Sequence, residues 1–164
     1  MADPVHPPSP TVERAAGPPI GLFIVVAGLA LVALSTFALD WTEARFSDGG
    51  VPYFELPDRV LSSNSQQTIE DPSAFAIAYF SVLGLLLLVL VAVLSLTATW
   101  PGGRRGAGLR LAAIVAAVVG LIALALAVAA VARNANMLGG PSAAIVGYLA
   151  LLGGVLVGAP RPRR

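Results

Sequence analysis

The chain reads SAFAIAYFSVLGLLLLVLVAVLSLTAT at residues 73–99, WPGGRRGAGLR at 100–110 and LAAIVAAVVGLIALALAVAAVA at 111–132. Neither apolar run contains an acidic or basic side chain. Each run is long enough for a helix that crosses a hydrocarbon core about 30 Å thick, which takes roughly 20 apolar residues. The glycines, proline and arginines between the runs are typical of a tight turn at a membrane surface. The stretch therefore predicts a membrane-spanning hairpin of two helices.

The composition of the whole chain agrees with the membrane class. Of its 164 residues, 57% are hydrophobic and 12% are charged, a balance far more apolar than that of soluble domains. There is no cysteine, which excludes disulfides, thiolate metal ligands and cysteine nucleophiles. No basic patch is interleaved with aromatic residues, so no nucleic-acid partner is expected.

Two further apolar runs flank the hairpin. Residues 142–158 form one, and residues 20–39 form the other, which is too long for a signal-peptide core and is interpreted as a retained anchor. We therefore predict an all-α fold, a four-transmembrane-helix bundle. Its segments are a disordered proline-rich cytoplasmic tail at 1–19, spans at 20–39, 73–100, 109–132 and 142–158, an extracytoplasmic acidic loop at 40–72, a basic cytoplasmic turn at 101–108, a short outer loop at 133–141 and a basic cytoplasmic tail at 159–164.

The loop at 40–72 is the one long polar segment, and it holds seven of the nine acidic residues. Within it, Asp48-Gly49-Gly50 is a turn signal between two short segments with β-branched or aromatic residues, 42–47 and 51–56. This pattern is compatible with a small β-hairpin, whose second strand Pro52 would confine to an edge. The loop has too many apolar side chains to be fully solvated. We expect it to cover the helix ends or to offer a surface to a partner.

The arginines decide the predicted orientation. With both termini in the cytoplasm, seven of the ten arginines lie on the cytoplasmic side, as the positive-inside rule favours. We expect a multi-pass protein of the plasma (inner) membrane with this threading. Four residues are expected to anchor the spans at the two membrane interfaces: Trp41, Trp100, Arg104 and Arg105.

Small residues recur along the last two spans. Helix association in lipid gains little from the hydrophobic effect, so small side chains that allow close backbone approach indicate contact faces. The predicted helix-packing or partner interface consists of Gly147, Ala150, Gly154 and Gly158 in the fourth span and Ala116 and Gly120 in the third. Two interpretations stay open. The two stripes close the bundle internally, or the stripe of the fourth span docks on another subunit.

Three residues with hydroxyl groups, Thr36, Tyr79 and Tyr148, lie near the outer ends of their spans. We expect them to share one layer of the outer leaflet, where a small polar pocket for a lipid headgroup is one interpretation. Ordinary hydrogen bonds within or between helices are the other. Pumps and proton-coupled transporters need titratable groups at membrane depth, and the spans offer no acidic or basic side chain there.

No constellation of residues indicates an enzyme. The chain has one histidine and no cysteine, and its adjacent carboxylates Glu70 and Asp71 are explained by capping of the following helix. We therefore predict no enzymatic activity, no catalytic residue, no metal site and no cofactor.

The chain resembles a known class in its layout and composition. It has four predicted spans behind a proline-rich head, it contains arginine but no lysine, and its spans consist mainly of Ala, Val, Leu and Gly. That class is the small four-helix integral membrane proteins of unknown function from high-GC actinobacteria such as mycobacteria. Our hypothesis for function is a non-catalytic accessory or scaffold subunit that contacts membrane lipids and packs against a larger membrane complex of the cell envelope. The alternative is a small oligomeric channel or carrier for an uncharged or lipidic solute, built by self-association.

Overall fold

The computed structural model describes residues 20–43, 49–58, 74–100, 107–132 and 136–158. It contains four long helices, α1 (Ile20–Phe37), α2 (Ala74–Thr99), α3 (Ala107–Ala132) and α4 (Gly139–Val157). Each helix is long and apolar enough to cross a membrane, which confirms the predicted all-α, four-helix fold. The predicted tails at 1–19 and 159–164 and most of the turn at 101–108 lie outside the described residues.

The four helices pack side by side as a bundle. α1 and α4 form the most extensive contact, α3 packs on both α2 and α4, and α2 touches α1. In two of the helices the buried positions alternate at spacings of four and three residues. They are Gly21, Val25, Gly28, Val32 and Ser35 in α1 and Ala113, Ala117, Gly120, Leu124, Ala127 and Val131 in α3. An average period of 3.5 residues is typical of helices that cross at a shallow angle of about 20°.

One turn of α2 departs from α-helical geometry. Residues Tyr79–Leu83 form a π-helical turn between the α-helical parts Ala74–Ala78 and Gly84–Thr99, and the Gly84 N–H donates to the Tyr79 carbonyl. A π turn widens the helix locally, and such turns are frequent at functional sites. This one places Tyr79 and Phe80 in the core of the bundle.

A small sheet covers one end of the bundle, which we call the sheet end. Strands β1 (Asp40–Glu43) and β2 (Gly50–Pro52) pair antiparallel, with Thr42 opposite Val51, which confirms the predicted small hairpin. β1 begins two residues earlier than predicted, and the turn residue Asp48 lies outside the described residues. A 3₁₀ turn at Tyr53–Glu55 follows β2.

The connection between α3 and α4 completes this sheet. Met137 pairs with Thr42 of β1 on the side away from β2. The Glu43 N–H donates to the Asn136 carbonyl at 3.1 Å, and the Leu138 N–H donates to the Trp41 carbonyl at 3.0 Å. β1 therefore lies between two partners, and β2, which ends in a proline that cannot donate, forms an edge.

Candidate functional site

The contact between α1 and α4 is built from small residues at matched positions, and we call it the glycine seam. Gly21 faces Gly154, Gly28 faces Gly147, and Ser35 faces Gly140, so the two helices run antiparallel. A Cβ atom added to Gly28 would lie 2.8 Å from the Gly147 carbonyl oxygen, and one added to Gly21 would lie 2.7 Å from that of Gly154. The backbones thus approach so closely that only glycine fits.

Side chains of α1 fill the notches that the glycines of α4 leave. A Cβ atom on Gly147 would lie 2.5 Å from Cγ2 of Val32, and one on Gly154 would lie 2.7 Å from Cγ2 of Val25. At the sheet end, Ser35 Oγ donates to the carbonyl of Gly140 at 2.7 Å. A buried hydroxyl in lipid gains from such a bond, because no water competes for it.

The small-residue stripe of the fourth span packs within the chain, against the first helix. Its residues Gly147 and Gly154 contact α1. Ala150 and Gly158 lie on the same side, with the Ala150 Cβ 3.1 Å from a Cβ built on Gly28. The physical reason is that glycines on both helices permit backbone contact, which Ala-rich α3 does not. The stripe is therefore occupied within the chain.

On α3, the buried face is turned slightly from the predicted one. Gly120 is buried and faces the ring of Tyr148, since its Cβ would lie 2.6 Å from Cε1 of that ring. Ala116 is only half-buried, and the neighbouring alanines Ala113 and Ala117 point into the core instead. Alanine is so frequent in this helix that composition alone did not identify the face.

Sequence reasoning missed the α1 half of the seam. The signal was present, because Gly21, Gly28 and Ser35 recur every seven residues, and Gly140, Gly147 and Gly154 repeat at the same interval. A seven-residue repeat of small residues on two helices predicts that they pack along their full length.

Trp41, one of the predicted membrane-interface anchors, is buried at the sheet end. Its side chain is 2% exposed and lies in the notch above Gly140. The indole Nε1–H donates to the Ser35 carbonyl at 2.8 Å. This carbonyl is one of the last in α1, where no N–H group of the helix is available as a donor. Its ring contacts Tyr53 and Phe80 edge to face, with centroids 5.1 and 5.5 Å apart. These contacts explain why Trp41 is buried.

Trp100, another of the predicted anchors, lies at the opposite end of the bundle, which we call the turn end. Trp100 is exposed there, directly after α2, and Arg104 and Arg105 lie outside the described residues. Arg110 of α3 was not singled out from the sequence as a contact residue. Its Nη2 donates to the carbonyl of Val155 at 3.2 Å, where a cation also suits the negative end of helix α4.

Thr36, Tyr79 and Tyr148 all line one small cavity below the sheet end. The cavity measures about 20 Å³, and Tyr53 of the 3₁₀ turn and Trp41 also line it. Thr36 Oγ1 donates to the Val32 carbonyl at 2.8 Å within its own helix. A cavity of this size accommodates a water molecule, which needs roughly 10–15 Å³ by the same measure, but it does not accommodate a lipid headgroup.

Tyr53 lines this cavity from outside the membrane-spanning helices. Its hydroxyl donates to the Tyr79 carbonyl at 3.3 Å, a long hydrogen bond, and it fits because Gly84 has no side chain there. Burial raises the pKa of the Tyr53 phenol above its ordinary range, and the nearby Tyr148 adds to this shift. The phenol is therefore neutral at physiological pH and acts as a hydrogen-bond donor.

Among the described residues, no group of three or more histidine, aspartate or glutamate side chains is arranged to hold a metal ion. An origin in high-GC actinobacteria stays a prediction from composition and layout. No protein-family model matches the chain, and no significant match was found among curated proteins or among solved structures.

Proposed function

We propose that this chain is a non-catalytic accessory or scaffold subunit that packs against a larger membrane complex of the cell envelope. One observation carries the proposal. We compared the most apolar 18-residue stretch of each helix. Only 22% of these residues are buried in α2, whereas 33% are buried in α1, 39% in α3 and 44% in α4. α2 is thus the helix with the most surface left for lipid or for another protein.

The exposed face of α2 is a continuous aliphatic stripe. Val82, Leu86, Val89 and Val93 are each more than half exposed, and they follow one another at spacings of four, three and four residues. The seam glycines of α4 are no longer available for a partner, because α1 covers them.

Charge supports a second contact at the sheet end. Asp40 and Glu43 of β1 and Asp58 after the 3₁₀ turn are exposed on this surface. We propose that this acidic surface faces the outside of the plasma membrane, with both termini in the cytoplasm, as the distribution of arginines favours. A partner with a basic extracytoplasmic surface would complement it.

The runner-up hypothesis, a channel or carrier, has less support. Within one chain the seam brings two backbones into contact and the cavity measures about 20 Å³, so a path for a solute would have to lie between copies of the chain. A pore would need a polar face repeated along a helix, and the exposed face of α2 is aliphatic.

The test is purification of the tagged full chain from its native membrane in mild detergent, with mass spectrometry of the proteins that stay bound. The variant Leu86→Trp/Val89→Trp alters the exposed face of α2, and Val115→Trp/Ile122→Trp is the matched control on the exposed face of α3. We expect a stoichiometric larger partner that is lost with the first pair and kept with the second. A homo-oligomer without such a partner would contradict the proposal and favour the channel or carrier.

A further inference from the structure

The exposed aromatic side chains of the described structure lie at the ends of the helices. They are Phe23, Phe37, Phe54, Phe75 and Trp100. Four of them belong to the first turn of a helix, to its last residue or to the residue directly after it. The fifth, Phe54, is carried by the 3₁₀ turn that follows β2. Aromatic rings at both ends of a set of spans are typical of helices that end at a membrane–water interface.

The 3₁₀ turn holds Phe54 in a fixed place beside α1. Its neighbours Tyr53 and Leu56 are buried and attach the turn to the bundle, whereas the Phe54 side chain is 46% exposed. The Phe54 ring packs between two others, with its centroid 5.4 Å from that of Phe37 and 5.4 Å from that of Tyr53. Phe37 is itself 69% exposed at the end of an apolar span. The exposed surface of α1 therefore continues onto the turn.

The length of α1 sets the height of this aromatic pair in a bilayer. Its 18 residues rise about 27 Å, slightly less than the thickness of a hydrocarbon core of about 30 Å. Phe37, the last residue of α1, therefore lies at the edge of that core at the sheet end. The headgroup region extends roughly 5–7 Å further. The Phe54 ring is only 5.4 Å from the Phe37 ring, so it stays within reach of this region whichever way it points.

The charges of the chain mark the same boundary. Residues 20–39 contain no acidic or basic side chain, and the first acidic residue after them, Asp40, comes three positions after Phe37. Asp40 and Glu43 of β1 are exposed, as carboxylates in water are expected to be. Glu55 beside Phe54 is half-buried, and the polar headgroup region suits a carboxylate better than the hydrocarbon core does. The aromatic pair thus lies between the apolar span and the hydrated acidic surface.

We propose that the 3₁₀ turn Tyr53–Glu55 is a membrane-contact element, in which Phe54 inserts together with Phe37 into the interfacial region of the leaflet at the sheet end. Lipid is the occupant of this surface because the surface is continuous with that of a span and lies at the height of the interface. The contact holds the acidic strand β1 at a fixed height above the bilayer. It does so on whichever side of the membrane the sheet end faces.

The test is electron paramagnetic resonance of the full chain in lipid nanodiscs, with a nitroxide attached to Phe54→Cys. The chain has no cysteine, so the label reports this position alone. Power saturation compares collisions with oxygen, which concentrates in lipid, and with a water-soluble nickel chelate. Phe37→Cys is the control for the interface, and Asp58→Cys, also exposed at the sheet end, is the control for water. We expect an oxygen-to-nickel ratio at Phe54→Cys close to that at Phe37→Cys and well above that at Asp58→Cys.

Two results would overturn the proposal. A ratio equal to that at Asp58→Cys would mean that the turn projects into water. Few collisions with either reagent would mean that protein covers the position, and dipolar broadening between labels would identify that protein as a second copy of the chain.

A second measurement keeps an aromatic ring at the position. The chain has two tryptophans, Trp41 and Trp100, so in Trp100→Phe only buried Trp41 fluoresces. Lipids brominated on the upper acyl chain quench an indole that touches them. We expect them to lower the emission of Phe54→Trp/Trp100→Phe and to leave that of Trp100→Phe nearly unchanged. The same small quenching in both variants would show that the introduced ring does not contact lipid, contrary to the proposal.

Discussion

Replacing Gly28 by alanine should separate α1 from α4 and destabilise the bundle. A Cβ atom at this position would lie 2.8 Å from the Gly147 carbonyl oxygen and 2.9 Å from the Leu151 nitrogen. Both atoms belong to the backbone of α4, so no side-chain rotation relieves the contact. Ordinary contact begins at 3.4 Å, and the helices must therefore move apart by about 0.6 Å.

The magnitude follows from the loss of packing along the seam. A gap of about 0.5–1 Å forfeits a quarter to a half of the dispersion energy of each contact, and overpacked sites in protein cores cost about 1–3 kcal/mol. Alanine recovers up to about 1 kcal/mol of helix propensity relative to glycine. We expect a net loss of about 1–2 kcal/mol, which lowers the ratio of folded to unfolded protein roughly 5- to 30-fold.

The assay is reversible unfolding of the full chain in mixed micelles, followed by tryptophan fluorescence, to which buried Trp41 and exposed Trp100 contribute. Gly153→Ala is the control, because Gly153 lies on the same helix as Gly147 and a Cβ atom there meets nothing within 4 Å. Gly147→Ala needs the same helix separation as Gly28→Ala. The double variant should therefore lose less stability than the sum of the two single variants, by about 0.5 kcal/mol or more. Equal stability of Gly28→Ala and Gly153→Ala, or strict additivity in the double variant, would refute this account of the seam.

Two further predictions address the seam and the sheet end. Ser35→Ala should cost about 0.5–1.5 kcal/mol of unfolding free energy by removing its 2.7 Å hydrogen bond across the seam, and Thr97→Ala, whose hydroxyl is exposed, should cost less in the same assay. Because burial raises the pKa of Tyr53, the folded state retains this proton to higher pH than the unfolded state, so the unfolding free energy should fall as the pH rises above about 10. Tyr53→Phe should weaken that fall in a pH series of unfolding curves, and an unchanged slope would contradict the burial of the phenol.

The predicted orientation can be measured separately. The chain has no cysteine, so a single introduced cysteine reports its own side of the membrane. Asp58→Cys at the sheet end should react with a membrane-impermeant maleimide on intact cells, whereas Gly108→Cys at the turn end should react only after permeabilisation. Both positions are exposed in the fold. The reverse labelling pattern would invert the proposed topology.

Sequence reasoning recovered the features that depend on local composition. The number of spans and the presence of a hairpin before α2 followed from apolar run length and turn residues, since crossing a bilayer requires about 20 apolar residues whatever the neighbours are. Helix starts were less accurate. α4 begins at Gly139 instead of residue 142, because Pro141 is tolerated in a first turn and does not mark its beginning.

The candidate site was recovered only in part. Thr36, Tyr79 and Tyr148 were selected for their depth in the spans, but Tyr53 in the loop and the glycines beside the rings were not. Tyr53 reaches the cavity only because β1 and β2 direct the 3₁₀ turn back onto the bundle. That path depends on long-range pairing, which no local pattern in the loop encodes.

The amino-acid sequence by itself determined that four apolar helices occur, where their polar connections lie and how acidic the long loop is. The tertiary structure decided that α1 covers the glycines of α4, that Trp41 caps the end of α1 and that three phenols meet in one cavity. The physical reason is that lipid solvates every apolar face equally well, so hydropathy cannot rank the possible helix pairs. The pairing depends on how closely two particular backbones can approach, and that becomes visible only when both helices are in place.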